Sequence, residues 1–172
     1  MNLGIVGSTI IGGLLILSII GLNLTVSQHS GENTLYYTAK IKTDMIAEVM
    51  TYDMRQVGYK PWAGVVIEDA TENTFSFRTE NISDGTQELI KWHFDSGSLI
   101  RTVNTEEVVM SSDVNNFEFA YFDSTGNVTT NKDHILQIKV TLSTESATRY
   151  GNRETNPSSA WDAVFTPRNL NL

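Results

Sequence analysis

The 172-residue chain has no cysteine, only three prolines and, before Glu32, no charged side chain. The first absence excludes disulfide staples, thiolate zinc sites and thiol nucleophiles together. It leaves the compartment open, since an extracellular chain can do without disulfides. The prolines stand at 61, 157 and 167, so the first sixty residues lack the strongest helix breaker. The gap in charge divides the chain into three. Residues 1–31 are uncharged, residues 32–60 balance four acids against four bases, and residues 61–172 hold 16 acids and 8 bases. The whole formal charge of −8 therefore lies in the last part, and such a body repels phosphate backbones. Nucleic acid is excluded as an expected partner. With 19% charged and 40% hydrophobic residues, the chain is otherwise globular in composition and long enough for a real core.

From Leu3 to Val26 run 24 residues without an ionisable side chain. As a helix this segment is about 36 Å long, enough to cross a hydrocarbon layer of about 30 Å. A secretory signal peptide would place Lys or Arg before a shorter run and a small-x-small site after it. Here only Met1 and Asn2 precede the run and Ser27-Gln28-His29 follow it, so an uncleaved helix is expected. Gly4, Ser8 and Gly12 fall four apart on one face, and Gly7, Gly13 and Gly21 add further notches. Each glycine costs a helix roughly 1 kcal/mol against alanine. Small residues at this spacing let neighbouring helix backbones approach closely, which offsets that cost. Leu3, Gly4, Ile5, Gly7, Ser8, Gly12, Leu15 and Gly21 are the expected helix-packing residues. Basic residues normally stay on the cytoplasmic side of a membrane helix, yet Lys40 and Lys42 follow this one. A cytoplasmic head, a removed basic leader and export by a dedicated machine all fit.

Residues 32–58 contain no proline, and no glycine before Gly58. Leu35, Ala39, Ile46, Met50 and Val57 recur at helical spacing and are the expected helix–sheet contacts; Ile41, Met45, Val49 and Tyr52 would widen that stripe. Asp44, Glu48 and Arg55 lie off it. Gly58 followed by Pro61 is a stop signal. The join at Ser30-Gly31 could be a kink, a frayed turn or a break; if it is continuous, the rod is about 80 Å long.

Beyond Pro61 the period becomes two. Phe75 and Phe77 alternate, as do Ile90, Trp92 and Phe94, then Phe117, Phe119 and Tyr121, then Leu136, Ile138, Val140 and Leu142. Ser83-Asp84-Gly85, Asp95-Ser96-Gly97 and Asp123 to Asn127 are turn sequences. An antiparallel meander with one wet and one buried face is expected, its buried face covered by the helical stripe. The fold class is therefore α+β: a long N-terminal helix over residues 1–58, apolar to residue 30 and amphipathic after it, packed on an antiparallel sheet head over residues 59–172. Residues 145–160 read as a polar loop before a last strand at Trp161–Thr166.

Reactive constellations are few. His29, His93 and His134 are isolated and match no metal-ligand spacing. No G-x-S-x-G, H-E-x-x-H or P-loop occurs. Glu106 and Glu107 are adjacent and face opposite sides of a strand, a poor acid–base pair. Asp123 to Asn127 lacks the rhythm of a calcium loop and reads as a turn. Asn81-Ile82-Ser83 and Asn127-Val128-Thr129 fit the glycosylation acceptor pattern, a tripeptide common by chance. Neither an enzyme nor a cofactor is expected.

Asp53-Met54-Arg55-Gln56-Val57-Gly58-Tyr59 matches a D-x-R-x-x-G-Y pattern at the end of the long helix. With the helix-then-sheet order, Phe117 to Asp123 and Pro167-Arg168-Asn169-Leu170, it resembles the type IV pilin and pseudopilin superfamily, most of all minor pilins and J-type pseudopilins. Asp53, Arg55, Gly58 and Tyr59 carry the motif. The resemblance implies a filament subunit whose N-terminal helices pack in a helical core while the head faces outward. It implies partners that are copies of the chain or related pilin subunits, assembly machinery, and a path from the inner membrane to the surface of a prokaryote. Ile5 stands where that family usually has Glu, which fits a minor or tip pseudopilin of a secretion or pilus machine. A membrane-anchored binding module is the remaining alternative.

Overall fold

The structure, a computed structural model, describes residues 3–59, 66–81, 83–148 and 155–167. Helix α1 (Leu3–Gln56) is one unbroken element of 54 residues that runs through Ser30 and Gly31 without interruption. At 1.5 Å per residue it is about 80 Å long. It ends where the sequence places the stop. Gly58 takes φ 82°, and the Tyr59 N–H donates to the Gln56 carbonyl at 2.9 Å. A side chain at that φ would cost about 1–2 kcal/mol, which accounts for glycine there.

Among the described residues eight strands follow: β1 (Ile67–Ala70), β2 (Thr74–Glu80), β3 (Gln87–Asp95), β4 (Ser98–Val103), β5 (Glu106–Ser111), β6 (Val114–Phe122), β7 (Gln137–Glu145) and β8 (Ser158–Phe165). They form two antiparallel sheets, a five-stranded β1-β2-β3-β4-β5 and a three-stranded β6-β7-β8, each in sequential order. The expected single meander is thus two. Periodicity could not separate them, because the inward residues of both sheets enter one core: Phe75, Phe77, Ile90 and Trp92 from the first, Phe117, Phe119, Ile138, Val140 and Leu142 from the second. Asp95 pairs with Ser98 across a two-residue turn in which Ser96 (φ 50°) and Gly97 (φ 82°) are both left-handed, the geometry that matches strand twist.

Other expectations shift. Strand β8 starts at Ser158 inside the stretch read as loop; Ser158, Ser159 and Ala160 pair with Glu145, Thr144 and Ser143. Strands β1, β4 and β5 carry no clean alternation, and β5 has Glu106 to Val109 all exposed. On the helix, Ala39, Ile46, Met50 and Val57 are buried and Leu35 is half-buried. Val49 packs partly on the core. Ile41, Met45 and Tyr52, expected to widen the stripe, are instead 58%, 62% and 59% exposed. At 100° per residue they project from the side opposite Ala39, Ile46 and Met50, and the head covers only one side of α1. Thr43, Ala47, Asp53 and Met54 fill the packed face in their place.

Candidate assembly interface

Helix α1 has two surfaces, one clamped to the head and one that packs on none of the other described residues. The clamp is built on Asp53, which is fully buried. Its Oδ2 accepts from Arg101 Nε at 2.7 Å and from Trp92 Nε1 at 2.8 Å, and its Oδ1 accepts from Arg101 Nη2 at 2.9 Å. A buried carboxylate is tolerable only when its lone pairs are met in this way. Arg101 is held above its ordinary pKa, first by the hydrogen bond to Asp53 and against the opposing effect of burial. One turn after Asp53, the Gln56 carbonyl accepts from Thr79 Oγ1 at 3.3 Å.

Farther up the helix, the Ala39 carbonyl accepts from Thr144 Oγ1 at 3.0 Å, and the Thr43 and Thr144 hydroxyls lie 2.8 Å apart. Lys42 pairs with Asp113. Thr43 and Ala39 are thus tied to β7, Lys42 to the turn between β5 and β6, and Asp53 to β3 and β4, with Ile46 and Met50 buried between these contacts. Of the motif residues, then, Asp53 anchors the helix to the head, Gly58 is its left-handed terminus and Tyr59 is half-buried beside it. Arg55 is exposed. No local pattern announces Trp92 and Arg101, which lie 39 and 48 residues from Asp53.

The N-terminal half has no such partners among the described residues. Between Ile5 and Val26, thirteen large aliphatic side chains are exposed, Ile5 and Leu15 among them at 65% and 60%. The apolar window has a mean hydropathy of 2.4, with none of it buried; the helix is long and apolar enough to cross a membrane. A Cβ added at Gly7, Gly12, Gly13 or Gly21 would meet nothing within 4 Å. Gly4 and Ser8 are exposed, and the side chain of Leu3 lies outside the described residues. Nothing within one chain calls for these glycines, whose cost in helix propensity is roughly 1 kcal/mol each.

Three hydroxyls of this half are satisfied within the helix itself. Thr9 Oγ1 donates to the Ile5 carbonyl at 2.9 Å, Ser18 Oγ to Leu14 at 2.9 Å and Thr25 Oγ1 to Gly21 at 3.0 Å. Hydroxyls bonded to their own helix carry little penalty in a dry environment. These three hydroxyls can therefore leave water at small cost, into lipid or among other helices.

Elsewhere the head offers little reactive geometry. Among the described residues, no three of the His, Asp and Glu side chains converge on a metal-sized space. His93 is half-buried, with Nδ1 2.8 Å from Thr74 Oγ1. His29 is exposed and lies 3.9 Å from Glu32. Asp123 Oδ1 accepts from Thr125 N and Oγ1 and from Asn127 N at 2.7–3.0 Å, closing the turn on itself. Those bonds, led by the Thr125 hydroxyl, hold Asp123 below the usual carboxylate range. Residues 168–170 of the C-terminal pattern lie outside the described residues. No protein-family model matches the chain, and no curated protein matches it in sequence.

Proposed function

We propose that the protein is a structural subunit of a pilin-like helical filament at the surface of a prokaryote. In this reading α1 residues 3–26 sit in the inner membrane before assembly and pack against their copies afterwards, while the acidic head faces solvent. One observation carries it: thirteen exposed aliphatic side chains on a helix whose glycines face open space within their own chain. Fully burying such a side chain is worth about 1.5–3 kcal/mol, so the segment as a whole stands to gain more than the roughly 5–15 kcal/mol that holds a domain folded. Lipid answers the apolar surface; close-packed sister helices answer the glycines as well. Head-to-tail contacts that do not close give a fibre.

A tip or minor subunit of a pilus or secretion machine is the second reading, favoured by Ile5 in the place where the pilin family that the sequence resembles usually carries Glu. Negative-stain imaging of the full-length protein after detergent removal tests the first reading: filaments are expected. Only monomers or closed oligomers would contradict it. Short fibres formed only on adding a second subunit type would favour the tip reading.

A further inference from the structure

The outward side of α1 next to the head carries a second pattern. Tyr37, Ile41, Met45, Glu48, Tyr52 and Arg55 are all exposed, and at 100° per residue they share a stripe about 80° wide, opposite the face that packs on the head. Two of the six are charged, with opposite signs. Neither Glu48 nor Arg55 has an ion-pair partner among the described residues, although Lys40 and Asp44 beside them are paired at 3.0 Å. Seven residues, or about 10.5 Å along the axis, keep Glu48 and Arg55 from reaching one another. A groove of about 500 Å³ runs beside the stripe, lined by Asp44, Glu48, Tyr52 and Arg55 on the helix and by Trp161 on β8.

The spacing is a repeat of seven: Ile41, Glu48 and Arg55 form one row, Met45 and Tyr52 another. We propose that this face is a self-docking surface, on which a second copy lies parallel and displaced by seven residues, so that Arg55 of one copy meets Glu48 of the next. In that register Tyr52 comes level with Met45, aromatic ring against thioether, and the free cation and free anion of successive copies neutralise each other. Charge complementarity selects a copy of this chain as occupant over a membrane. A lipid surface would take the apolar residues but leave Glu48 unpaired against the headgroups. The same displacement, carried up the rod, sets each apolar half about two turns from its neighbour's. The inference rests on the filament reading and adds its register.

Charge reversal in the full-length protein tests it. Glu48→Arg and Arg55→Glu should each lower filament yield about tenfold or more, the equivalent of about 1.4 kcal/mol per contact. The double reversal should restore yield to near the wild-type level. Near-UV circular dichroism of the head should not change, because both residues are exposed. A second variant does not depend on charge. The chain has no cysteine, and Glu48→Cys with Arg55→Cys places two thiols about 10.5 Å apart on one helix, too far to bridge within a copy. Oxidation of its assemblies should give a ladder of linked copies on a non-reducing gel.

If either single reversal assembles like the wild type, or the double reversal stays as deficient as the singles, the register is wrong while the filament reading stands. If a reversal unfolds the head, the cysteine pair decides alone: filaments without a ladder overturn the register. Absence of filaments from the wild type itself overturns both.

Discussion

The two halves of α1 are one helix by backbone and two different objects by packing. From residue 32 onward the helix is held from outside: Ala39, Ile46 and Met50 are buried, Thr43 reaches across to Thr144, and Asp53 is gripped by Trp92 and Arg101. Before residue 32 no described residue is buried, and the Thr9, Ser18 and Thr25 hydroxyls bond carbonyls of their own helix. The more apolar half is the one with no partner. In a protein built to act alone, the greater apolar content would be in the core, because burial is what stabilises it. On the filament reading, the chain leaves its largest hydrophobic gain for contacts beyond itself.

Removing residues 1–30 should separate the halves most sharply. The head, with its own core and clamp, should melt within a few degrees of the full chain by circular dichroism, while assembly is abolished. A molten head would mean that the halves are not independent. Next in size is the clamp. Asp53→Ala leaves Arg101 charged, part-buried and unpaired, and should cost about 3–5 kcal/mol in urea unfolding of the head. The mirror experiment is Gly12→Leu. It should leave the urea midpoint of the head unchanged and reduce assembly severely, since each overpacked helix contact costs about 1–3 kcal/mol and repeats along a fibre.

Smaller still, Gly58→Ala should destabilise the head by about 1–2 kcal/mol through the left-handed backbone alone. The least effect belongs to the turns. Asp84 and Asp123 are both held below the usual carboxylate range by hydrogen bonds to Thr86 and Thr125. A depressed folded pKa means stability that is complete above the unfolded value, near 3.8, and lost as pH falls through the folded one. Urea midpoints measured from pH 5 to pH 2 should fall less steeply in Asp123→Asn than in the wild type.

What could be read in the sequence was local and periodic. The run from Leu3 to Val26, the stop at Gly58 and the alternation around Ile138 and Val140 each follow from a few neighbouring residues, and each stands in the structure. What could not be read depended on which side of an element the rest of the chain happened to cover. Ile41, Met45 and Tyr52 have the composition of a packing face, but periodicity does not reveal that the head stops short of them. Strand β5 shows no alternation, because its residues Glu106 to Val109 are exposed on both faces. Asp53 was visible as part of a motif, yet its role comes from Trp92 and Arg101, which only the tertiary fold brings to it. The division into two sheets left no trace, since both feed one core.

The central claim is that the apolar half of α1 meets copies of itself. A photo-crosslinking amino acid at position 15, where Leu15 is 60% exposed, tests it most directly when the full chain is irradiated in its assembled form. The expected product is a protein–protein adduct joining position 15 of one copy to the N-terminal helix of another. Adducts to lipid or detergent alone, in material where the chain is folded and abundant, would contradict the claim.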